Sequence, residues 1–240
     1  MIHFGIKCWD AWTPGIRSAE AWHDLLTSQK ALKTYAPSSA DGYTFLSTKK
    51  RRRLSTISKI TLDVAMGASA KEKPLPSVFA SRRGEVQRMA GLLQDICAGE
   101  DISPTAFSLS VHNTASGLFS IYQDNQSPST AVAAGNDTVI AGLTEVCSQL
   151  TCGQDEILLV IAEDTLPELY QPLAEGYETA IAAAFVVTTK PQFTLEIVPS
   201  KDKQTPATID TQVKSLLRLI TQHETITLQG ERQTATLSLL

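Results

Sequence analysis

Residues 107–150, FSLSVHNTASGLFSIYQDNQSPSTAVAAGNDTVIAGLTEVCSQL, constrain this chain most, because they combine strand, helix, strand and helix patterns around one polar hinge. The run SPSTAVAAG at 127–135 is short, small and apolar, as a strand buried on both faces is. Asn136 and Asp137 follow where a helix wants an N-cap. Behind them Val139, Ile140, Leu143, Val146, Cys147 and Leu150 recur at three and four residues, which is one helical face. Such a turn is where α/β folds place a nucleophile, since first-turn N–H groups and the helix dipole stabilise a thiolate or an oxyanion. This turn has none.

The rest of the chain offers elements of the same kind. IHFGIKCW at 2–9 alternates as a strand, and Ser18 caps a helix that sets Ala19, Trp22, Leu25 and Leu26 on one face. Residues 34–48 carry loop signals. Lys49, Lys50, Arg51, Arg52 and Arg53 then lead into a helix over about 54–70, with Ile57, Ile60, Val64 and Ala68 inward. A helix N-terminus does not favour cations, so this basic run is either a solvated turn or a docking patch. A strand over 77–81 turns through Gly84 into a helix whose Val86, Met89, Ala90, Leu93 and Cys97 share a face, ended by Gly99. Arg82 and Arg83 reach either water or a phosphate. EILLVIA at 156–162 is a continuous apolar strand, ETAIAAAFVVTT at 178–189 a second, and PQFTLEIV at 191–198 a third. Val213, Leu216, Leu217 and Ile220 mark a helix over 210–222, and the last residues form two short strands joined at Gly230 and Glu231.

Length and charge exclude several classes. The chain has 240 residues, which fits a single domain over 1–240 with a sizeable core. A formal charge of −4 gives no bulk attraction for nucleic acid. No apolar run reaches the roughly 18 residues of a membrane span. The opening MIHFGIKCW is too short and wrongly flanked for a signal peptide, so the expected location is cytoplasmic. Cys8, Cys97, Cys147 and Cys152 lack metal-ligand spacing and are expected as buried free thiols, with no metal and no cofactor.

ISP at 102–104, SVHNTASG at 110–117, SPS at 127–129 before a strand that enters a long helix, and GQDEILLVIAED at 153–164 together carry a family resemblance. In order and spacing they resemble the N-terminal half of the β-ketoacyl synthases of the thiolase superfamily. The likeness is strongest to the short ketosynthase-like, chain-length-factor-like subunits of aryl polyene pathways. It implies a thiolase-like half in α/β/α layers, with a mixed five-stranded sheet. On that pattern the family's nucleophilic cysteine falls on Asn136, after Gly135. An amide cannot form the acyl thioester, so no catalytic residue is expected. The family's two histidines belong to its second half, and none of His3, His23, His112 and His223 lies in a segment resembling that half.

The implied function is a non-catalytic subunit that pairs with a full-length β-ketoacyl-ACP synthase and shapes its acyl tunnel, with an acyl carrier protein as second partner. Phe107, Leu109, Val111, His112, Asn113, Thr114 and Leu118 are the expected tunnel and interface residues. Ser129, Thr130, Val132 and Ala134 lie on the strand that would run antiparallel to its partner equivalent. Lys49, Lys50, Arg51, Arg52 and Arg53 are the candidate carrier-docking patch. Core packing competes with the tunnel role for Phe107, His112 and Leu118. The alternative is a stand-alone acyl-thioester hydrolase or malonyl decarboxylase using Asp137, His112 or Ser129.

Overall fold

The computed structural model describes residues 1–27, 43, 45–70, 73–174, 178–200 and 205–240; most of the loop expected over 34–48 lies outside them. In chain order the first elements are β1 (Ile2–Trp12), α1 (Ala19–Thr27), α2 (Thr48–Arg51), α3 (Thr56–Ser69) and β2 (Ser77–Ala80). There follow α4 (Val86–Ala98), α5 (Pro104–Ser108), α6 (Thr114–Gln123), β3 (Ser129–Val132) and α7 (Thr138–Thr151). The rest are β4 (Glu156–Glu163), β5 (Ile181–Pro199), α8 (Ile209–Gln222), β6 (Ile226–Gln229) and β7 (Gln233–Leu239).

The continuous apolar run of β4 divides its side chains between two cores. Ile157, Leu159 and Ile161 enter one, and Leu158, Val160 and Ala162 the other. β5 repeats the division, with Ile181, Ala183, Phe185 and Val187 against Ala182, Ala184 and Val186. A sheet apolar on both faces must be covered on both. Val139, Ile140 and Leu143 of α7, Leu216 and Leu217 of α8 and Trp22 of α1 cover the first face. Ile60 and Val64 of α3 with Phe119 of α6 cover the second. The layers are therefore α/β/α.

The sheet is mixed, as expected, but has seven strands rather than five, in the order β3-β2-β4-β5-β7-β6 with β1 also paired to β5. β2 runs parallel to β3 and β4, and the other pairings are antiparallel. The two strands expected over 178–198 are one. β5 pairs with β4 up to Thr188 and with β7 from Phe193, and it changes partner across Pro191, which has no N–H to give a ladder. β1 follows that bend through Gly5, where a Cβ would lie 2.1 Å from the Lys190 carbonyl oxygen. The terminal pair β6–β7, expected as two short strands, extends this sheet.

Two further expectations change. Residues 107–111 alternate like a strand, but Pro104 at the first turn and a Ser103 hydroxyl accepting from Ala106 N–H start the short helix α5 there instead. The segment 127–135 is not buried on both faces. Among the described residues β3 has β2 on one side only and so lies at the sheet's edge, with Ser129 and Ala131 exposed and Thr130 and Val132 half-buried.

Candidate functional site

The C-terminal ends of the parallel strands β2, β3 and β4 bring together residues 81–85, 133–137 and 163–164, the end at which α/β sheets build their sites. Gly135 takes a left-handed φ of 59° and opens a single 3₁₀ turn, so α7 begins later than Asn136 would require of a cap. Asp137 holds the cap position but makes no side-chain cap bond. Thr138 does the local work: its hydroxyl accepts from Ala134 N–H and donates to the Gly135 carbonyl.

Asn136 is 4% exposed. Its side-chain oxygen accepts from Arg82 Nη1 at 2.6 Å, and its carbonyl oxygen accepts from Gln212 Nε2 of α8 at 2.8 Å. The neighbouring Asp137 carboxylate accepts from the backbone N–H groups of Arg232 and Gln233, each at 3.1 Å, and so ties the β6–β7 turn to the start of α7. Gly230 is required in that turn, since a Cβ there would lie 2.0 Å from Asp137 Oδ1.

Arg82 and Arg83 both lie beside carboxylates. Arg83 makes a two-pronged ion pair with Glu178, and Arg82 Nη1 lies 3.7 Å from the same carboxylate. Glu163, at the end of β4 and 3% exposed, accepts from Arg82 N–H at 2.7 Å and Ser81 Oγ at 3.2 Å. Its other oxygen is 3.6 Å from Arg83 Nη1, too far for a hydrogen bond. Burial pushes this carboxyl up to about 7, although the Arg82 N–H, Arg83 and Ser81 oppose the rise.

The three side chains of the hydrolase alternative do not converge. His112 Nε2 is bonded to the Ser81 carbonyl oxygen at 2.8 Å, Asp137 holds the β6–β7 turn, and Ser129 Oγ accepts from Ser77 Oγ on the sheet edge. Beside His112 a cleft of about 20 Å³, lined by Phe79, Ala80, Ala115, Val160 and Ala162, has room for about one water.

The expected tunnel residues divide by environment. Phe107 is 63% exposed and Val111 48%, with His112 and Asn113 exposed beside them. Leu109 and Leu118 are half-buried, and Leu118 packs on the second core. Thr114 is buried, its hydroxyl donating to the Val111 carbonyl, so it is a packing residue and not a surface one. On β3 the Thr130 hydroxyl accepts from Gln149, Val132 packs on the first core, and Ala134 is exposed.

Helix α4, packed beside α5, divides the face shared by Val86, Met89, Ala90, Leu93 and Cys97 between core and solvent. Met89, Leu93 and Ile96 are exposed, as is Ile121 on α6, while Val86, Ala90 and Leu92 are buried. On α4 and α5, which pack together, the exposed apolar side chains make a candidate interaction surface. Periodicity alone could have found the stripe but not its direction.

The basic run does not start α3, which Ser55 caps by accepting from Ser58 N–H. Its first residues form α2, where positive charge sits at the favourable C-terminal end of the dipole. Lys50 Nζ lies 4.3 Å from the centre of the Tyr122 ring, and Arg88 donates to the Arg53 carbonyl. Lys49, Lys50, Arg52 and Arg53 are exposed and Arg51 is half-buried. All four cysteines are free, but only Cys147 is buried, with its thiol pushed up to about 11 by burial; Cys97 and Cys152 are exposed. Cys97 departs from expectation because it lies on the side of α4 that meets solvent with Met89 and Leu93. Among the described residues there is no cluster fit to hold a metal ion and no helix long and apolar enough to cross a membrane.

Residues 22–236 match the family described as β-ketoacyl synthase, N-terminal domain. No curated protein matches the chain. Among solved structures, a chain from the complex of a ketosynthase with its chain length factor from Xenorhabdus doucetiae superposes with TM-score 0.89, covering 99% of this chain and 100% of its own at 24% identity. A β-ketoacyl synthase from Burkholderia phymatum superposes with TM-score 0.63 at 13% identity, covering 92% of this chain and 70% of its own. The ishigamide ketosynthase/chain length factor gives TM-score 0.63 at 14% identity, covering 83% and 68%. The fold is that of the ketosynthases.

Proposed function

The chain belongs to the β-ketoacyl synthase N-terminal domain family, and from that premise we infer that it is a non-catalytic, chain-length-factor-like subunit. It pairs with a full-length β-ketoacyl-ACP synthase and shapes that partner's acyl tunnel during polyene or fatty-acid-type chain elongation. The observation that carries this reading is Asn136. The family's cysteine position holds an amide that is buried and hydrogen-bonded to Arg82. An amide there accepts no acyl group from a carrier, so the thiolate and the histidines must come from another chain.

Three features support the partner. Among the described residues β3 is a sheet edge with small exposed residues, able to pair with a strand of another chain. Met89, Leu93, Ile96, Phe107, Val111 and Ile121 leave apolar surface exposed on the segments before it. The Xenorhabdus doucetiae chain, matched from end to end, comes from a ketosynthase with its chain length factor. Phe107 and Val111 are the best placed of the expected tunnel residues to reach a partner's cavity, and the exposed Lys49, Lys50, Arg52 and Arg53 form the surface for an acidic carrier. We take residues 1–240 to act as a single domain in that assembly.

Co-purification of the tagged chain with a ketosynthase encoded beside it, sized against the chain alone, tests the reading. A stable one-to-one complex with activity only in the pair is expected. A monomer that ignores every such ketosynthase overturns it.

A further inference from the structure

The turn at residue 136 is held from three directions by parts of the chain distant in sequence. Arg82, at the end of β2, reaches the Asn136 side chain and has Glu178 behind it. Gln212, 1% exposed on α8, donates to both the Asn136 and Ala207 carbonyls. The β6–β7 turn gives two backbone N–H groups to Asp137, and Gly230 packs so closely on that carboxylate that no side chain fits between them. Gly135 is exposed, yet the next two residues are 4% and 6% exposed. An attacking or acylated group at position 136 needs an open path to one side-chain atom. Here the atom's side is closed by an ion pair and its backbone side by α8 and the C-terminal turn.

We propose that the chain carries its own stopper over position 136, formed by the Arg82–Glu178 ion pair, Gln212 and the 230–233 turn, which excludes carrier-borne thioesters whatever residue stands there. This deepens the non-catalytic reading. Loss of the nucleophile and closure of its site are separate barriers, so replacing Asn136 by cysteine does not restore an acyl-accepting site.

The chain holds its own reference thiols for the test: Cys97 and Cys152 are exposed and Cys147 is buried. The Asn136→Cys variant is treated natively with iodoacetamide, and each thiol's alkylation rate is read by peptide mass spectrometry. The introduced thiol is expected to react about a hundredfold more slowly than Cys97. Adding Arg82→Ala should speed it about tenfold while Cys147 stays protected. Alkylation of the introduced thiol at the Cys97 rate, with Cys147 protected, overturns the proposal. Should Asn136→Cys fail to fold, hydrogen exchange on the unaltered chain decides. Slow exchange of the Arg232 and Gln233 amides supports the stopper, and exchange at the rate of exposed loops overturns it. Neither readout involves a ketosynthase, so failure of the pairing leaves this result standing and the reverse.

Discussion

Arg82 Nη1 donates to Asn136 Oδ1 across 2.6 Å, joining the end of β2 to the turn before α7 over 54 residues of chain. The same guanidinium has Glu178 3.7 Å away. Glu178 is also held by the two-pronged pair with Arg83, so it is the buried Asn136 side-chain oxygen that loses a donor if Arg82 goes. Arg82→Ala should cost about 2 kcal/mol of stability in urea unfolding, the usual cost of leaving a buried polar group unmet. A loss below about 0.5 kcal/mol, the scale of an ordinary surface substitution, would mean that water replaces the guanidinium freely.

Glu163 gives the fold a pH dependence of a definite sign. Burial, the largest cause, lifts its carboxyl from the ordinary 4.5 to about 7, so folding takes up a proton between those values. The stabilising contribution is whole below the lower value and is lost as pH rises through the upper one. The full shift corresponds to about 3 kcal/mol. Stability of the unaltered chain should fall relative to Glu163→Gln between about pH 5 and 8, measured by denaturant midpoints. Parallel curves would show that Arg83 keeps the carboxylate ionised.

What the sequence made legible was what neighbours within one element determine. The three-and-four spacing from Val139 to Leu150 placed α7, and all six residues of that face are buried. EILLVIA placed β4 because apolar runs of that length are doubly covered strands. Direction was less legible. Val86, Met89, Ala90, Leu93 and Cys97 share a face by spacing, but only packing decides that Val86 and Ala90 turn inward while Met89, Leu93 and Cys97 meet solvent. The polar network was illegible for another reason: Arg83 and Glu178 are 95 residues apart, and no local pattern pairs them. Asn136 was singled out only by the family resemblance, and its tie to Arg82 only by the fold.

Ala131 is exposed on β3, and β2 fills the other side of that strand. A long charged side chain here obstructs strand pairing across the sheet edge without entering the core. Ala131→Lys should weaken ketosynthase binding about tenfold or more and leave the thermal midpoint unchanged. Full binding by the folded variant would remove β3 from the interface.

Lys49, Arg52 and Arg53 are exposed and, among the described contacts, engage no carboxylate. Charge reversal at all three should reduce carrier-protein affinity of the assembled pair by about tenfold at low salt, with the difference shrinking near 0.5 M salt. Binding that ignores both the substitutions and the salt would make this run a solvated turn.

Product length separates Phe107 from Leu118, which the sequence treats alike. Leu118 is half-buried against the second core, so Leu118→Trp overpacks that core and changes the fold's stability by about 1–3 kcal/mol. Any shift in product from that variant is confounded. Phe107 is 63% exposed, at the end of α5, so truncating it changes surface shape and little else. If its ring closes the far end of the partner's tunnel, Phe107→Ala opens space there and the assembled pair should release longer acyl products, at unchanged affinity between subunits. Longer products with an unchanged complex place Phe107 at the tunnel end. The same products as the unaltered pair would make Phe107 part of the interface alone and leave chain length to the ketosynthase.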